Sequence, residues 1–409
     1  MSEALGMTPY RRAGVDGHPP AIGFANARHI RHLRSIRRAV SWAVILLASS
    51  AAGSIAQDGP AGITTPRVFA PFDAATPRCT PPPGLGKVLT FAQDNQREFM
   101  QGVDYGLALA ARKRGLEYRR VLADNDDARQ LEQVRNLSAL KVGGVVASPV
   151  NPAALARGLQ QVIWTGAYVG TVVPPPATSL LNAPQYLTGK VLGDATAAYI
   201  KGRLGGKAKV VLLTQDSIEF LTPRFVALRD ALKDIPGVTI VADISPNPVN
   251  KDGGFATMRT VLLAHPDVDV VLGADTVVLG ALAALRSAGK ARPDQFLGGI
   301  DGEPEAVAEI KKGGTPYKIS ISLASPVFGY AMGQHAADWL EGKSIPQAMD
   351  ILPSALTIAN IDQYQADLAD PASVYDDASR RVSYLRMYGN ICYDTRDQYV
   401  NFPWSSERK

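Results

Sequence analysis

The sequence has 409 residues, of which 46% are hydrophobic and 20% are charged, proportions typical of a chain that buries hydrophobic cores. They exclude a collagen, a coiled coil and a wholly disordered chain, and the length predicts two or three domains. The net charge of +5 arises at the N-terminus, because residues 1–56 hold seven arginines and two acids while the rest carries 36 basic and 36 acidic side chains. The charge balance therefore does not indicate a basic surface that would bind nucleic acid.

Residues 1–56 are predicted to be an export signal with an N-terminal extension. The basic stretch 28–38 precedes an apolar run at 39–48, and the small residues Ser54 and Ala56 follow where a signal peptidase cuts. This pattern predicts cleavage between Ala56 and Gln57 and a location in the periplasm. A membrane anchor is the alternative interpretation, which the short apolar run disfavours.

The chain has two cysteines, Cys79 and Cys392, and the first lies in the proline-rich lead-in of residues 57–86. In an oxidising compartment an even pair of cysteines is more often a disulfide than a metal site or a nucleophile. The two are therefore predicted to bond with each other. The five histidines are scattered without zinc-ligand spacing, so we predict neither a metal nor a cofactor.

From residue 87 to about residue 350, short apolar segments alternate with helical patterns. Strands are predicted at residues 87–92, 118–123, 143–147, 170–173, 209–214, 238–244, 268–273, 296–300 and 317–323. Helices are predicted at residues 99–115, 127–141, 187–202, 222–235, 253–265, 276–288, 303–312 and 327–342. This alternation indicates parallel sheets, and nine strands divide naturally into two doubly wound α/β lobes.

Open parallel sheets bind ligands outside the carboxyl ends of their strands. Polar residues follow five of the predicted strands, namely residues 93–98, residues 215–217, Asp275, Asp301 and Ser325. Asp301 lies among glycines, which allow a ligand to approach the backbone closely. Asp275, like Asp216, can equally be a helix cap or a turn residue.

Three segments resemble the periplasmic sugar-binding proteins of ABC importers, closest to the ribose-binding branch that is related to LacI-type repressor cores. They are residues 265–275 (HPDVDVVLGAD), 279–290 (LGALAALRSAGK) and 299–302 (GIDG). The resemblance runs from residue 87 to residue 360 and implies the type I periplasmic binding protein fold, in which two lobes joined by three crossovers close on a solute. It implies an N-terminal lobe of residues 87–198 and 324–352, a C-terminal lobe of residues 199–323 and 353–364, and a tail of residues 365–409.

The resemblance also implies ligand-binding residues. Asp301 and Arg224 match the pair that grips sugar hydroxyls in the family, and the chemistry suits them because a carboxylate accepts hydrogen bonds that hydroxyls donate and a guanidinium donates several. Phe99 matches a ring that stacks on the sugar, while Gln93 and Arg97 match polar positions after the first strand. The remaining candidates for ligand contact are Asp275, Gln185 and Ser325.

Several hydroxyl-binding positions of the family carry other residues here. The replacements are residues 174–176 (PPP), residues 184–186 (PQY), Ala274 and Leu323. The pocket is therefore predicted to be less polar than a standard sugar site, and a less hydroxylated or partly apolar solute becomes a candidate beside a sugar.

The predicted function is a monomeric solute-binding protein that holds a small molecule in its interlobe cleft and delivers it to an ABC permease in the inner membrane. The alternative is a periplasmic sensor that presents its closed form to a chemoreceptor or histidine kinase. An enzyme is disfavoured, because the sequence has no Gly-x-Ser-x-Gly, P-loop or His-Glu-x-x-His motif. The aromatic tail is predicted to pack on the body beneath the disulfide, with a ligand or partner surface as the other interpretation; its rings are Tyr384, Tyr388, Tyr393, Tyr399 and Trp404.

Overall fold

The computed structural model describes residues 69–172, 176–216 and 221–401, together with Trp404 and Ser406. The predicted signal, its cleavage site and the first part of the proline-rich lead-in lie outside these residues, as does Ser217. Within the described part of the chain, no helix has both the length and the apolar character that crossing a bilayer requires.

Strands and helices alternate along most of the chain. In order they are β1 Val88–Gln93, α1 Glu98–Lys113, β2 Glu117–Leu122, α2 Asp127–Ala139, β3 Gly144–Ala147, α3 Pro152–Trp164, β4 Tyr168–Thr171, β5 Ser179–Asn182, α4 Gln185–Arg203, β6 Lys207–Leu213, α5 Thr222–Leu232, β7 Gly237–Ile244, α6 Lys251–Ala264, β8 Val270–Gly273, α7 Asp275–Ser287, β9 Phe296–Asp301, α8 Pro304–Lys311, β10 Tyr317–Leu323, α9 Ser325–Leu340, β11 Ala348–Ile351, β12 Pro353–Leu356, α10 Ile361–Ala369, α11 Pro371–Asp376, α12 Ala378–Tyr384, β13 Leu385–Tyr388 and a 3-10 helix Tyr393–Gln398.

The strands form two sheets. The first has the order β13-β11-β5-β4-β3-β1-β2 and the second has the order β12-β10-β9-β8-β6-β7. Neighbouring strands are parallel except for the pairs β11–β13 and β10–β12, which are antiparallel. Inner strands such as β3 and β8 are buried along their whole length, as expected where helices cover both faces of a parallel sheet. The predicted fold class, two doubly wound α/β lobes, is confirmed.

The chain passes between the two sheets at the connections β5–α4, β10–α9 and β11–β12, which gives the three crossovers of the predicted hinge. A fourth passage follows, because β13 returns to the first sheet after α10, α11 and α12. Helix α4 packs against α5 and the second sheet.

The tail after residue 365 packs on the first lobe. Strand β13 pairs with β11, and the side chains of Tyr384 and Trp404 are buried. The Tyr388 hydroxyl donates to Asp350 Oδ2 at 2.9 Å, and its ring contacts Trp404 at 5.4 Å between centroids. Cys79 and Cys392 form a disulfide that ties the lead-in to the tail. These contacts favour packing on the body over an exposed aromatic surface.

Candidate functional site

Three of the predicted ligand residues meet on the second lobe. Arg224, near the start of α5, donates from Nε to Gln185 Oε1 at 2.7 Å, and its Nη1 lies 3.6 Å from Asp301 Oδ1. The Arg224 side chain is 5% exposed, whereas that of Asp301 is 41% exposed. The arginine is thus held in the protein and the carboxylate at the end of β9 remains open to a ligand.

The close packing of α4 against α5 holds Arg224 in place. Gly189 of α4 lies directly over the α5 backbone, since a Cβ there would come within 1.9 Å of the Arg224 carbonyl oxygen. Pro223 pre-forms the first turn of α5, where its missing N–H is not needed. Gln185 begins α4 immediately after a hinge crossover. The Arg224–Gln185 contact therefore joins the starts of two helices beside the hinge.

Asp301 has a backbone conformation that favours glycine. Its φ is 118°, and the next residue, Gly302, has a φ of 73°. Side-chain-bearing residues rarely adopt such angles, and those that do concentrate at functional sites. The carboxylate therefore occupies a position where the backbone alone would prefer glycine, which favours a role in binding. Desolvation raises the pKa of Asp301, while the positive charges of Arg224 and Arg97 oppose that rise.

The first lobe brings Gln93, Arg97 and their neighbours to the carboxyl end of β1. Gln93 is fully buried and donates from Nε2 to the Asn95 carbonyl oxygen at 2.5 Å. Arg97 Nη2 pairs with Asp94 Oδ2 at 2.9 Å and its Nε donates to Asn95 Oδ1 at 2.9 Å. Gln93 Oε1 and Asp94 Oδ1 are buried and have no hydrogen-bond partner in the described protein. The loop thus holds two buried acceptor atoms that receive no hydrogen bond.

Phe99 and Ser325 lie at the starts of α1 and α9 on the same lobe. The partly buried Phe99 ring packs against Phe328 with 6.4 Å between centroids. Ser325 is 8% exposed and fits against Gly102, where a Cβ would come within 2.1 Å of its Oγ. Phe99 keeps part of its ring exposed, and Ser325 lies at the start of α9 against Gly102.

Asp275 occupies a different place from the other predicted ligand residues. It is fully buried, and its carboxylate accepts hydrogen bonds from Tyr317 Oη at 2.7 Å, Ser320 Oγ at 2.6 Å and the Glu303 backbone N–H at 2.8 Å. Burial raises the pKa of Asp275 to about 6, while the hydroxyls of Ser320 and Tyr317 oppose that rise. The Asp275 carboxylate fits in this buried position because residue 299 is a glycine, and a Cβ there would lie 1.7 Å from Asp275 Oδ1. The structure therefore gives Asp275 a positioning role beneath the loop after β9, in place of the predicted ligand contact.

Two acidic residues outside the predicted ligand set interact electrostatically with Asp301. Glu98 is the first residue of α1, and Glu303 caps α8 two residues beyond Asp301. Burial raises the pKa of Glu303 to about 8, with additional effects from the charges of Asp275, Asp301 and Glu98. Burial also raises the pKa of Glu98, and the charge of Asp301 adds to this. Both residues follow the end of a strand, and that position is the sequence signal that could have identified them as site residues.

Replacing Glu303 with glutamine is expected to stabilise the unliganded protein at pH 8.5 and to leave it unchanged near pH 4.5. The folded state keeps the Glu303 proton up to a pKa of about 8, whereas the unfolded chain releases it near 4.5, so stability falls as the pH rises through this window. We expect a gain of about 2 kcal/mol in the free energy of unfolding at the higher pH, after allowance for solvent screening. Chemical denaturation at both pH values measures it.

Glu305→Gln is the matched control for this variant. Glu305 lies on the same helix but is exposed and pairs with Lys251 at 2.5 Å. This substitution should give no gain at pH 8.5. Equal gains for the two variants would show that the acidity of Glu303 does not depend on its place beside Asp301.

Comparisons with known proteins find relatives of this chain among periplasmic binding proteins. The family model described as a periplasmic binding protein domain matches residues 88–344, more than half of the chain. The ribose import binding protein of Bacillus subtilis is 28% identical over 264 residues, which cover 61% of this chain and 80% of the relative. A putative rhizopine-binding protein of Rhizobium meliloti is 24% identical over 254 residues, which cover 59% of this chain and 80% of the relative.

Solved structures give the same fold. A periplasmic ribose ABC transporter protein from Conexibacter woesei superposes with a TM-score of 0.59 at 20% identity, covering 69% of this chain and 95% of that one. An ABC transporter solute binding protein from Bacillus halodurans with bound myo-inositol superposes with a TM-score of 0.58 at 19% identity, covering 69% of this chain and 99% of that one. At these identities the likeness establishes the fold.

Proposed function

The chain belongs to the periplasmic binding protein family, and from this we propose that it binds a small sugar or sugar-like solute between its lobes and delivers it to an ABC importer. The observation that carries the proposal is Asp301, a carboxylate held in a glycine-like conformation beside the buried Arg224. Both lie at the carboxyl ends of the second sheet, where parallel sheets bind ligands.

Each lobe supplies part of the binding chemistry. Asp301 accepts hydrogen bonds from ligand hydroxyls, and Arg224, which donates to Gln185, places its positive charge beside the same carboxylate. The first lobe supplies Gln93 and the ring of Phe99. A solute that contacts both lobes stabilises a closed form over an open one, and the permease recognises that form.

The relatives support a polyhydroxylated ligand. The two relatives named above carry ribose and rhizopine in their names, and one of the structural neighbours holds myo-inositol. All of these proteins are named as binding or transport proteins. We extend that chemistry to this chain, with the permease as its partner.

The proposal includes export to the periplasm and action as a monomer. Residues 1–56 would serve as the signal, removed between Ala56 and Gln57. The Cys79–Cys392 disulfide is consistent with this, since such bonds persist in oxidising compartments.

A thermal-shift screen of the protein purified from cells tests the proposal. The panel contains sugars, polyols, amino sugars, sugar acids and small heterocycles. A ligand at 100 times its dissociation constant adds about 2.7 kcal/mol to the free energy of unfolding, which raises the melting temperature clearly. Hits among sugars or polyols support the proposal, and a panel without any hit contradicts it.

A further inference from the structure

Helix α10 begins the fourth passage of the chain between the two lobes. The three earlier crossovers are one or two residues long, whereas this passage consists of three consecutive helices, α10, α11 and α12. Short loops absorb the backbone rotation of a hinge, while a helix keeps its internal hydrogen bonds and moves as one body. The fourth passage therefore responds to lobe rotation differently from the other three.

The first half of α10 is fixed to the second lobe. Lys311 of α8 lies 2.6 Å from Asp362 Oδ1 through its Nζ and donates to Gln365 Oε1 at 2.8 Å. The Tyr364 side chain is 5% exposed, and its hydroxyl forms a hydrogen bond with Ser322 Oγ. Ser322 belongs to β10, the strand that leads into the second crossover, so this bond lies beside the hinge.

The Tyr364 hydroxyl also reaches the strand pair that carries Asp301. Ser322 of β10 is paired in register with Asp301 of β9. Gly302 lies against the same serine, since a Cβ at residue 302 would come within 2.5 Å of the Ser322 Oγ. Helix α10 thus supports the backbone next to the candidate ligand-binding carboxylate.

The end of α10 is fixed to the first lobe. The Tyr105 hydroxyl of α1 donates to the Ala369 carbonyl oxygen at 3.2 Å. Asp370 alone separates α10 from α11, and α11 packs on α9 with the Tyr375 ring 5.6 Å from the Tyr330 ring. The nine residues of α10 span about 13 Å, so one short helix is held by a different lobe at each end.

Rotation of the lobes away from each other cannot preserve both sets of contacts. Helix α10 would follow one lobe and lose its hydrogen bonds with the other, leaving either Ser322 or the Ala369 carbonyl without its present partner. A contact shifts a conformational equilibrium when it is made in one state and lost in the other. The contacts at the two ends of α10 therefore favour the present separation of the lobes over a wider one.

We propose, on the basis of the function proposed above, that α10 is a tie between the lobes that limits how far the cleft opens before a solute binds. Tyr364 is its central positioning residue, because it bonds to the strand beside Asp301 while the helix end is held by Tyr105. A protein that spends less time widely open binds its solute more tightly, since a larger fraction is ready to close on it.

The separation of the cleft edges measures the opening without any solute. Ala128 follows β2 and Val249 follows β7, the edge strands farthest from the hinge crossovers, and both residues are exposed. Spin labels on Ala128→Cys and Val249→Cys report their separation by double electron–electron resonance, and the native disulfide takes up no label. We expect Tyr364→Phe and Tyr105→Phe each to shift this separation to longer distances, because each removes one anchor of the tie.

Tyr384→Phe is the matched control for Tyr364→Phe. Tyr384 is also a buried tyrosine of the tail, but its hydroxyl donates to Asp367 Oδ2 at 2.6 Å within the tail. This control should leave the label separation unchanged and the affinity for the best ligand of the screen within about twofold. Tyr364→Phe should bind that ligand about three- to tenfold more weakly, the effect of one hydrogen bond, and reach the same separation as the original protein at saturation.

Thermal melting checks that each variant is folded, and Tyr105, at 44% exposure, can lose its hydroxyl without disturbing a core. An unchanged or shorter separation in both anchor variants would overturn the inference and leave the proposed function intact. Equal lengthening in Tyr384→Phe, or an affinity that Tyr364→Phe does not change, would overturn it as well. A screen without hits contradicts the proposed function alone, because the label separation without solute still decides whether α10 ties the lobes.

Discussion

Replacing Asp301 with alanine is expected to abolish solute binding and leave the protein folded. Asp301 is the exposed member of the pair with Arg224, and each hydrogen bond that its carboxylate accepts from a ligand contributes about 1.5–3 kcal/mol. The loss of two such bonds predicts an affinity at least about 100-fold weaker. Titration calorimetry with the best ligand of the panel measures this loss, and circular dichroism monitors the fold.

Asp301→Gly separates binding from backbone strain. The φ of 118° is unfavourable for alanine but ordinary for glycine, so the glycine variant should be at least as stable as the original protein. It should still lose binding, because the carboxylate is gone. A glycine variant that binds normally would show that the carboxylate serves only the local structure.

Removing the disulfide is expected to cost about 3–5 kcal/mol of the free energy of unfolding, and the variant to make is Cys79→Ser/Cys392→Ser. The bond joins residues 313 positions apart, so its loss greatly enlarges the conformational freedom of the unfolded chain. It also holds the lead-in against the tail that carries β13. Denaturant unfolding with and without a reductant measures the change.

The reductant supplies an internal control. It should destabilise the original protein by the same amount and have no effect on the double serine variant. Mass spectrometry of the untreated protein should find no free thiol. Free thiols, or a stability that the reductant does not change, would show that the bond does not form in the native protein.

Much of the fold could be predicted from local pattern. All nine predicted strands and all eight predicted helices occur, with strand ends shifted by at most two residues. Strands buried on both faces are continuous apolar runs, such as VVLG in β8, and these are visible in sequence.

One missed element, α3 Pro152–Trp164, is a 13-residue helix whose Asn151 cap and Pro152 start are signals visible in the sequence. The missed strands are short or depend on tertiary pairing. Strand β12 begins with a proline and pairs only at the edge of its sheet, and β13 (LRMY) has four residues and gains its place by pairing with β11. Strand β5 ends in Asn182, a polar residue that bonds to Asp350 across the sheet. None of these three strands, β5, β12 and β13, has a periodicity that distinguishes it from a loop.

The candidate site also has features that the sequence could predict and features that it could not. The family resemblance brought Arg224 and Asp301 together, and the structure places Gln185 between the hinge and that pair. The roles of Asp275 and Glu303 depend on which way each side chain turns after its strand, and sequence position does not contain that information. Asp275 turns inward to three donors, whereas burial and the charges of Asp275 and Asp301 raise the pKa of Glu303.

Small-angle X-ray scattering of the purified protein, with and without the best ligand of the screen, tests most directly whether a solute closes the two lobes. We expect the radius of gyration to fall at saturating ligand, and to stay unchanged for Asp301→Ala at the same concentration. An unchanged radius of gyration for the original protein, with calorimetry showing the ligand bound, would refute closure on a solute between the lobes.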